Sequence, residues 1–291
     1  MNRKTSEPAP DTDTPRWRMP WLVKASLLCH AAALLMVIAA PAQWAWAVGL
    51  LVVNHLLLAC VGLWPRSTAL GANLRRLPEA AAARGQIALT IDDGPDPDIT
   101  PQVLDQLRAA GARATFFCIG TQAEAHPELV RRILREGHSV QNHSQRHSHR
   151  FAFSGLRSFE REIAAGQATF ERLTGRAPTC FRAPAGLRNP FLDPVLHRLG
   201  LRLVSWTRRG FDTRERDPAR VLARLTDGLR AGDILLLHDR HCALTEAGRP
   251  VVLEVLPALL EQCRRAGLRL VTLPEALSEQ AVAATPAMLA S

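Results

Sequence analysis

At 291 residues the chain has room for one α/β domain of about 200 residues and a further element. The formal net charge is +9, yet no basic run is interleaved with aromatics and tyrosine is absent, which argues against a nucleic-acid partner. Six scattered cysteines form no CxxC pair and no disulfide framework, as expected in a reducing compartment.

Residues 1–15 are rich in Pro, Asp and Thr and are expected to be disordered. Beyond them, Trp21–Ala40 is apolar apart from Lys24 and His30, and Trp44–Trp64 apart from Asn54 and His55. Each stretch is close to the roughly 20 residues that a helix needs to cross a bilayer. Trp17, Trp21, Trp44, Trp46 and Trp64 cluster at the segment ends, where an interfacial belt places them. A cleaved signal peptide is the rival reading, because Arg16, Arg18 and Lys24 precede an apolar stretch. The second apolar span argues against it. Residues 16–64 are therefore read as two transmembrane helices in a hairpin.

The joining Pro41-Ala42-Gln43 carries no charge, whereas Arg16, Arg18 and Lys24 lie on one flank and Arg66, Arg75 and Arg76 on the other. That asymmetry places both flanks, and with them the C-terminal domain, on the cytoplasmic face of the inner membrane. Residues 1–84 hold nine basic and four acidic residues, against 27 and 23 in the remainder, so the excess positive charge suits contact with anionic lipid headgroups. Residues 65–85 read as a linker, with Leu70, Leu74 and Leu77 lying on the membrane.

From Gln86 onward, apolar strand-like runs alternate with helical patterns. Strands are expected at Gln86–Ile91, Thr115–Ile119, Ser139–Gln141, Thr179–Arg182, Leu201–Trp206, Asp233–His238 and Leu268–Thr272. Thr100-Pro101, His126-Pro127 and Asp217-Pro218 place proline at a first helical position, and Gly111 and Gly137 act as terminators. Seven strands with crossover-length connections predict an α/β fold, a distorted parallel (β/α) barrel over residues 86–280 with a tail at 281–291.

The candidate site residues all fall at strand carboxyl ends, where such barrels build their sites. Asp92 and Asp93 leave the first strand with side chains pointing in different directions, so one can ligate a metal while the other stays free as a base. Asp-Gly-Pro-Asp-Pro is also turn chemistry in its own right. His143 and His147 lie four apart, and on a helical turn both imidazoles face one way, a spacing suited to a zinc-type ion. Arg182 follows a short strand and is either a surface arginine or a planar fork holding a carboxylate. Asp212 is by itself a loop aspartate. His238 ends a core strand and is either packed or a proton donor for a leaving nitrogen.

The order Thr-Ile-Asp-Asp-Gly, Asn-His-Ser-Gln-Arg-His, Phe-Arg-Ala-Pro, Leu-Leu-Leu-His-Asp resembles the polysaccharide deacetylase family (the NodB homology domain, carbohydrate esterase family 4), over roughly Gln86–Leu277. The resemblance implies a divalent metal, most simply Zn²⁺, on Asp93, His143 and His147. It implies Asp92 as general base, His238 as acid, and supporting roles for Arg182 and Asp212. The backbone N–H of Ala185 would help bind the oxyanion. Two departures stand out: Ala185 replaces a family aromatic, and Thr213 replaces the tryptophan after the aspartate.

The expected activity is removal of an N-acetyl or N-formyl group from an amino sugar. With the domain facing the cytoplasm, the partners would be a lipid-linked amino-sugar glycan and the lipid bilayer, and Arg188, Arg208 and Arg209 would meet a phosphate. A periplasmic chitooligosaccharide or peptidoglycan deacetylase requires the opposite topology. A catalytically inactive glycan-binding or scaffold membrane protein is the alternative of another class, against which the retained ligands, base and acid argue.

Overall fold

The structure, a computed structural model, describes residues 16–284. The disorder expected for 1–15 and most of the expected tail lie outside the described residues. The first two helices, α1 (Trp21–Ala39) and α2 (Trp44–Gly62), are joined by a single 3₁₀ turn at Pro41–Gln43 and pack antiparallel. Both are long and apolar enough to cross a membrane, and most of their surface is uncovered. The polar residues that interrupt the two apolar runs face each other. Asn54 Nδ2 donates to Ser26 Oγ at 3.0 Å, and the His30 and His55 rings meet edge-on at 5.2 Å. Buried polar groups find partners in this way, and the hairpin presents an apolar exterior.

A short helix α3 (Glu79–Ala83) leads into an alternation of strands and helices: β1 (Gln86–Asp92), α4 (Thr100–Ala109), β2 (Ala114–Cys118), α5 (Gly120–Ala125), α6 (Pro127–Arg135), β3 (Ser139–Asn142), α7 (Leu156–Thr174), β4 (Cys180–Phe181), α8 (Leu192–Arg198), β5 (Arg202–Leu203), β6 (Arg208–Arg209), α9 (Pro218–Thr226), β7 (Ile234–His238), α10 (Val251–Arg265), β8 (Arg269–Leu270) and α11 (Leu273–Ala284). All ladders are parallel, in the order β5-β4-β3-β2-β1-β7-β6, with β8 also paired to β1. This is the distorted parallel barrel that the sequence implies.

Strand periodicity sorts side chains onto two faces. Ile87, Leu89 and Ile91 of β1 and Leu235 and Leu237 of β7 pack outward against the core under α4, α9 and α10. Ala88, Phe117 and Ile234 point to the other face, into a second cluster inside the barrel. By the same period Thr90 and Asp92, and Leu236 and His238, share that inner face. Register then aligns Asp92 with His238 across β1 and β7, and with Phe117 across β1 and β2.

Three expectations are corrected. An additional strand, β6, consists of two arginines and carries no apolar signal. The linker does not lie on the membrane. Leu70 and Leu77 are buried, and Leu74 packs against the inner cluster. The edge strands β5 and β6 do not pair with each other, and the linker is stitched into the opening. The Leu74 amide donates to Leu203 O and the Ser205 amide to Leu74 O, both at 2.9 Å, while the Leu77 amide donates to Gly232 O at 2.8 Å. The linker leucines therefore fill the barrel's open seam. Finally, Thr100 is not a cap: it is the first residue of α4, and its Oγ1 donates to Asp239 Oδ2 at 2.5 Å. Asp217 does cap α9, accepting from the Ala219 amide at 2.9 Å.

Candidate active site

Asp92 ends β1, and Asp93 follows with φ of 77°, a left-handed conformation that swings its carboxylate away from its neighbour's. His143 follows β3 directly. The segment to His147 is a loop and not the helical turn expected, because Ser144 and His147 adopt positive φ (69° and 52°). The two imidazoles nevertheless converge, with ring centroids 4.8 Å apart. Asp93 Oδ1 lies 3.2 Å from His143 Nε2 and 3.3 Å from His147 Nε2.

These three donors fit a metal ion on geometric grounds. Tetrahedral coordination with bonds of about 2.0–2.1 Å sets ligand atoms roughly 3.3 Å apart. The tautomer is fixed as well: His143 Nδ1 lies 2.8 Å from the Arg182 carbonyl, which can only accept, so Nε2 keeps its lone pair. Burial, then the charge of His143, lowers the His147 pKa to about 4, leaving it neutral and able to ligate. Burial alone would raise the Asp93 pKa. Hydrogen bonds from His143 and His241 and the nearby imidazole charges outweigh it and hold that carboxyl well below the usual range.

Two charge pairs flank this triad. Arg182 is wholly buried and extends under the barrel mouth. Its NH1 donates to Asp92 Oδ1 at 2.6 Å and to Thr90 Oγ1 at 2.8 Å, its NH2 to Ser205 O at 2.9 Å, and its Nε to Val204 O at 3.3 Å. The guanidinium also stacks 4.1 Å from the Phe117 ring centre. On the opposite wall, His238 Nδ1 donates to Asp212 Oδ1 at 3.0 Å, and the His238 amide donates to Asp212 Oδ2 at 2.7 Å. Phe211, at φ of 61°, turns the chain so that Asp212 points inward. Burial disfavours the imidazolium, but the Asp212 carboxylate, with Asp92 and Asp93 behind it, raises the His238 pKa to about 9.

Asp92, Asp93, His143, His147, Ala185 and His238 line one cavity of about 130 Å³, with Arg182 and Asp212 standing behind it. Ala185 sits in the left-handed region (φ 53°) on the turn Pro184–Gly186. Thr213 does face the cavity, and the neighbouring wall is built by Trp206 and Arg209, whose guanidinium lies 5.3 Å from the Trp206 ring centre. The other two arginines expected near a phosphate are committed elsewhere. Arg208 binds Asp233 at 2.6 Å and the carbonyls of Asp227 and Gly228, and Arg188 is buried against the Ser67 carbonyl.

Several residues at the site carry no sequence signal that reasoning could use. Trp206 is one, and its role depends on the turn between β5 and β6. His241 is another, with Nδ1 3.6 Å from Asp93 Oδ2. Asp239 had a signal, since it adjoins His238. It is fully buried beneath Gly94, where an added β-carbon would collide with its carboxylate, and burial raises its pKa to about 7.

Residues 80–204 match the profile of the polysaccharide deacetylase family. A peptidoglycan-N-acetylglucosamine deacetylase of Bacillus cereus is 35% identical over 193 residues, which is 66% of this chain and 87% of that protein. This chain belongs to the polysaccharide deacetylase family. A chitooligosaccharide deacetylase of Azorhizobium caulinodans is 34% identical, over 66% of this chain and 94% of the relative. Among solved structures, a family 4 carbohydrate esterase from Streptomyces lividans in complex with acetate is 30% identical. It superposes with a TM-score of 0.57 over 64% of this deacetylase-family chain and 91% of its own. A peptidoglycan N-acetylglucosamine deacetylase structure gives a TM-score of 0.63 at 27% identity, covering 70% of this chain and 91% of the other. In each case the matched share corresponds to the barrel, without the N-terminal hairpin.

Proposed function

We propose that this chain is a metal-dependent hydrolase that removes an N-acetyl or N-formyl group from an amino sugar. The observation that carries the reading is one cavity bearing a three-ligand set, a carboxylate backed by a buried cation, and an imidazole backed by a buried carboxylate. A divalent ion on Asp93, His143 and His147, with Zn²⁺ best matched to the two-nitrogen, one-oxygen set, would supply Lewis-acid polarisation of the acyl carbonyl and a water of lowered pKa. Asp92, held ionised and oriented by Arg182, accepts the proton of the attacking water. The Ala185 amide donates to the developing oxyanion, a contact whose loss typically costs about 3–4 kcal/mol in barrier. His238, held protonated by Asp212, gives its Nε2 proton to the departing amine. The products are the free amine and acetate or formate.

We place the enzyme on a membrane, anchored by α1 and α2, and assign it a lipid-linked amino sugar at the bilayer surface. Support comes from the cavity wall itself. Gly186 lies against Pro65, three residues past the end of α2, and a β-carbon there would come within 2.7 Å of the Pro65 side chain. The basic outer flanks favour a cytoplasmic catalytic domain. A second reading, with the domain on the opposite face acting on exported glycan, is favoured by the relatives named as peptidoglycan and chitooligosaccharide deacetylases. The test is acetate or formate release by the zinc-loaded full chain from lipid-linked and from soluble N-acyl amino sugars. Absence of release from either class sinks the activity, and a C-terminal reporter active on only one side of the membrane decides between the two topologies.

A further inference from the structure

Outside the cavity, the domain carries large exposed hydrophobic side chains close to the hairpin. Phe153 is 85% exposed, Phe191 49% and Leu156 41%. These three belong to one surface, because Asn189 Nδ2 donates to the Ala152 and Ser154 carbonyls at 2.9 and 2.8 Å and so fastens the 189–191 turn to the 151–154 turn. The same surface is continuous with both ends of the hairpin. On one side of Phe191, the Arg188 amide donates to Gly62 O, at the end of α2, at 3.1 Å. On the other side, Asp193 Oδ2 accepts from Trp17 Nε1, just ahead of α1, at 2.7 Å. Phe191 therefore lies in sequence between the two contacts that seat the domain on the hairpin's open end.

Charge sits beside this apolar patch. A groove of about 590 Å³ runs from the metal-ligand loop to α7, and Arg146, Arg150 and Arg161 line it. All three are exposed, and no carboxylate lies within ion-pair reach of their guanidinium groups among the described residues. The one acid in the groove, Glu162, accepts from the Arg146 backbone amide at 2.5 Å. Exposed aromatics flanked by unpaired arginines are the composition of a surface that settles into the headgroup layer of an anionic bilayer.

We propose that loops 146–157 and 189–191 form a second membrane contact, independent of the hairpin helices. In this contact Phe153, Leu156 and Phe191 enter the interface and Arg146, Arg150 and Arg161 hold the phosphates of anionic phospholipids. The orientation rests on the reading of α1 and α2 as membrane-spanning. Two contacts fix the tilt of the barrel, so that the ligand loop His143–His147, which leads into this surface, stands over the bilayer and not over open water. A lipid-linked sugar then reaches the cavity without leaving its headgroup layer.

The test is photo-cross-linking of the full chain in proteoliposomes, with p-benzoylphenylalanine replacing Phe153, Phe191, Leu35 in α1, or Ala109. Ala109 is exposed at the end of α4, at the end of the sheet opposite the cavity. Lipid adducts at 153 and 191 are expected well above those at 109, stronger with phosphatidylglycerol than with phosphatidylcholine alone. The triple change Arg146→Gln, Arg150→Gln, Arg161→Gln should lower the phosphatidylglycerol-dependent labelling at 153 by at least about fivefold. Labelling at 35 with only background at 153 and 191 overturns this proposal and leaves the anchor standing. Labelling at 153 without labelling at 35 keeps the patch and removes the spanning hairpin, whereas no labelling at any of the three removes both. Equal labelling in neutral and anionic vesicles overturns the role given to the arginines.

Discussion

The two walls of the cavity solve the same electrostatic problem with opposite signs. On the β1 wall an anion, Asp92, faces the cavity and a buried cation, Arg182, stands behind it at 2.6 Å. On the β7 wall the cation-forming group, His238, faces the cavity and a buried anion, Asp212, stands behind it at 3.0 Å. Neither wall leaves an unpaired buried charge, which would cost several kcal/mol. The pairing also sets protonation: the hidden partner keeps Asp92 able to accept a proton and His238 able to give one. The difference assigns base and acid without reference to any relative. The metal-ligand triad lies between the walls and belongs to neither pair.

That separation yields the largest expected effect. Asp93→Ala or His143→Ala should leave both charge pairs in place and still reduce deacetylation of N-acetylglucosamine oligomers to background, with zinc lost from the purified protein. A variant that keeps zinc and activity would refute the ligand set. Asp92→Asn comes next: zinc content unchanged, kcat lower by about 10²–10⁴, the range for one general base. Activity within a few fold of the parent would remove Asp92 from that role. Arg182→Gln tests the hidden partner. Breaking a buried pair from one side costs about 3–5 kcal/mol, so denaturant unfolding should show a loss of that order. An unchanged midpoint would show that the Asp92 carboxylate needs no buried cation.

How far the site could be read in advance follows from where its information lies. Asp92, Asp93, His143, His147 and His238 each sit within a few residues of an apolar run, so period and motif together placed them at strand ends. Parallel register then brings Asp92 beside His238, although they are far apart in sequence. What could not be read depends on distant segments. Leu70, Leu74 and Leu77 look like interfacial leucines until the gap between β5 and β6 is known. Arg208 looks free until Asp233, which takes both it and Arg76, is folded beside it. The loop from His143 to His147 was misread as helical because spacing of four fits a helical turn, and the positive φ of Ser144 leaves no trace in a serine. The Trp206 and Arg209 wall follows from a turn that no local pattern announces.

The smallest expected effect separates the walls by pH. His238 must be protonated to act as the acid, and its pKa is raised from 6.5 to about 9. Turnover should therefore hold through neutral pH and fall by about half near pH 9, then roughly tenfold for each further unit. Asp212→Asn keeps a hydrogen-bond acceptor for Nδ1 but removes the charge, and burial then acts unopposed. The descending limb should move to about pH 6.5 or below, which at pH 7.5 leaves about a tenth of the acid form. Stability should track the same group. A folded-state pKa above the unfolded value stabilises the fold fully below about pH 6.5, and this stabilisation is lost as pH rises through about 9. The difference in thermal midpoint between the parent and Asp212→Asn should then shrink between those limits. A descending limb that stays near pH 9 in the variant would mean that another group supplies the proton. The symmetry of the two walls would then be structural only.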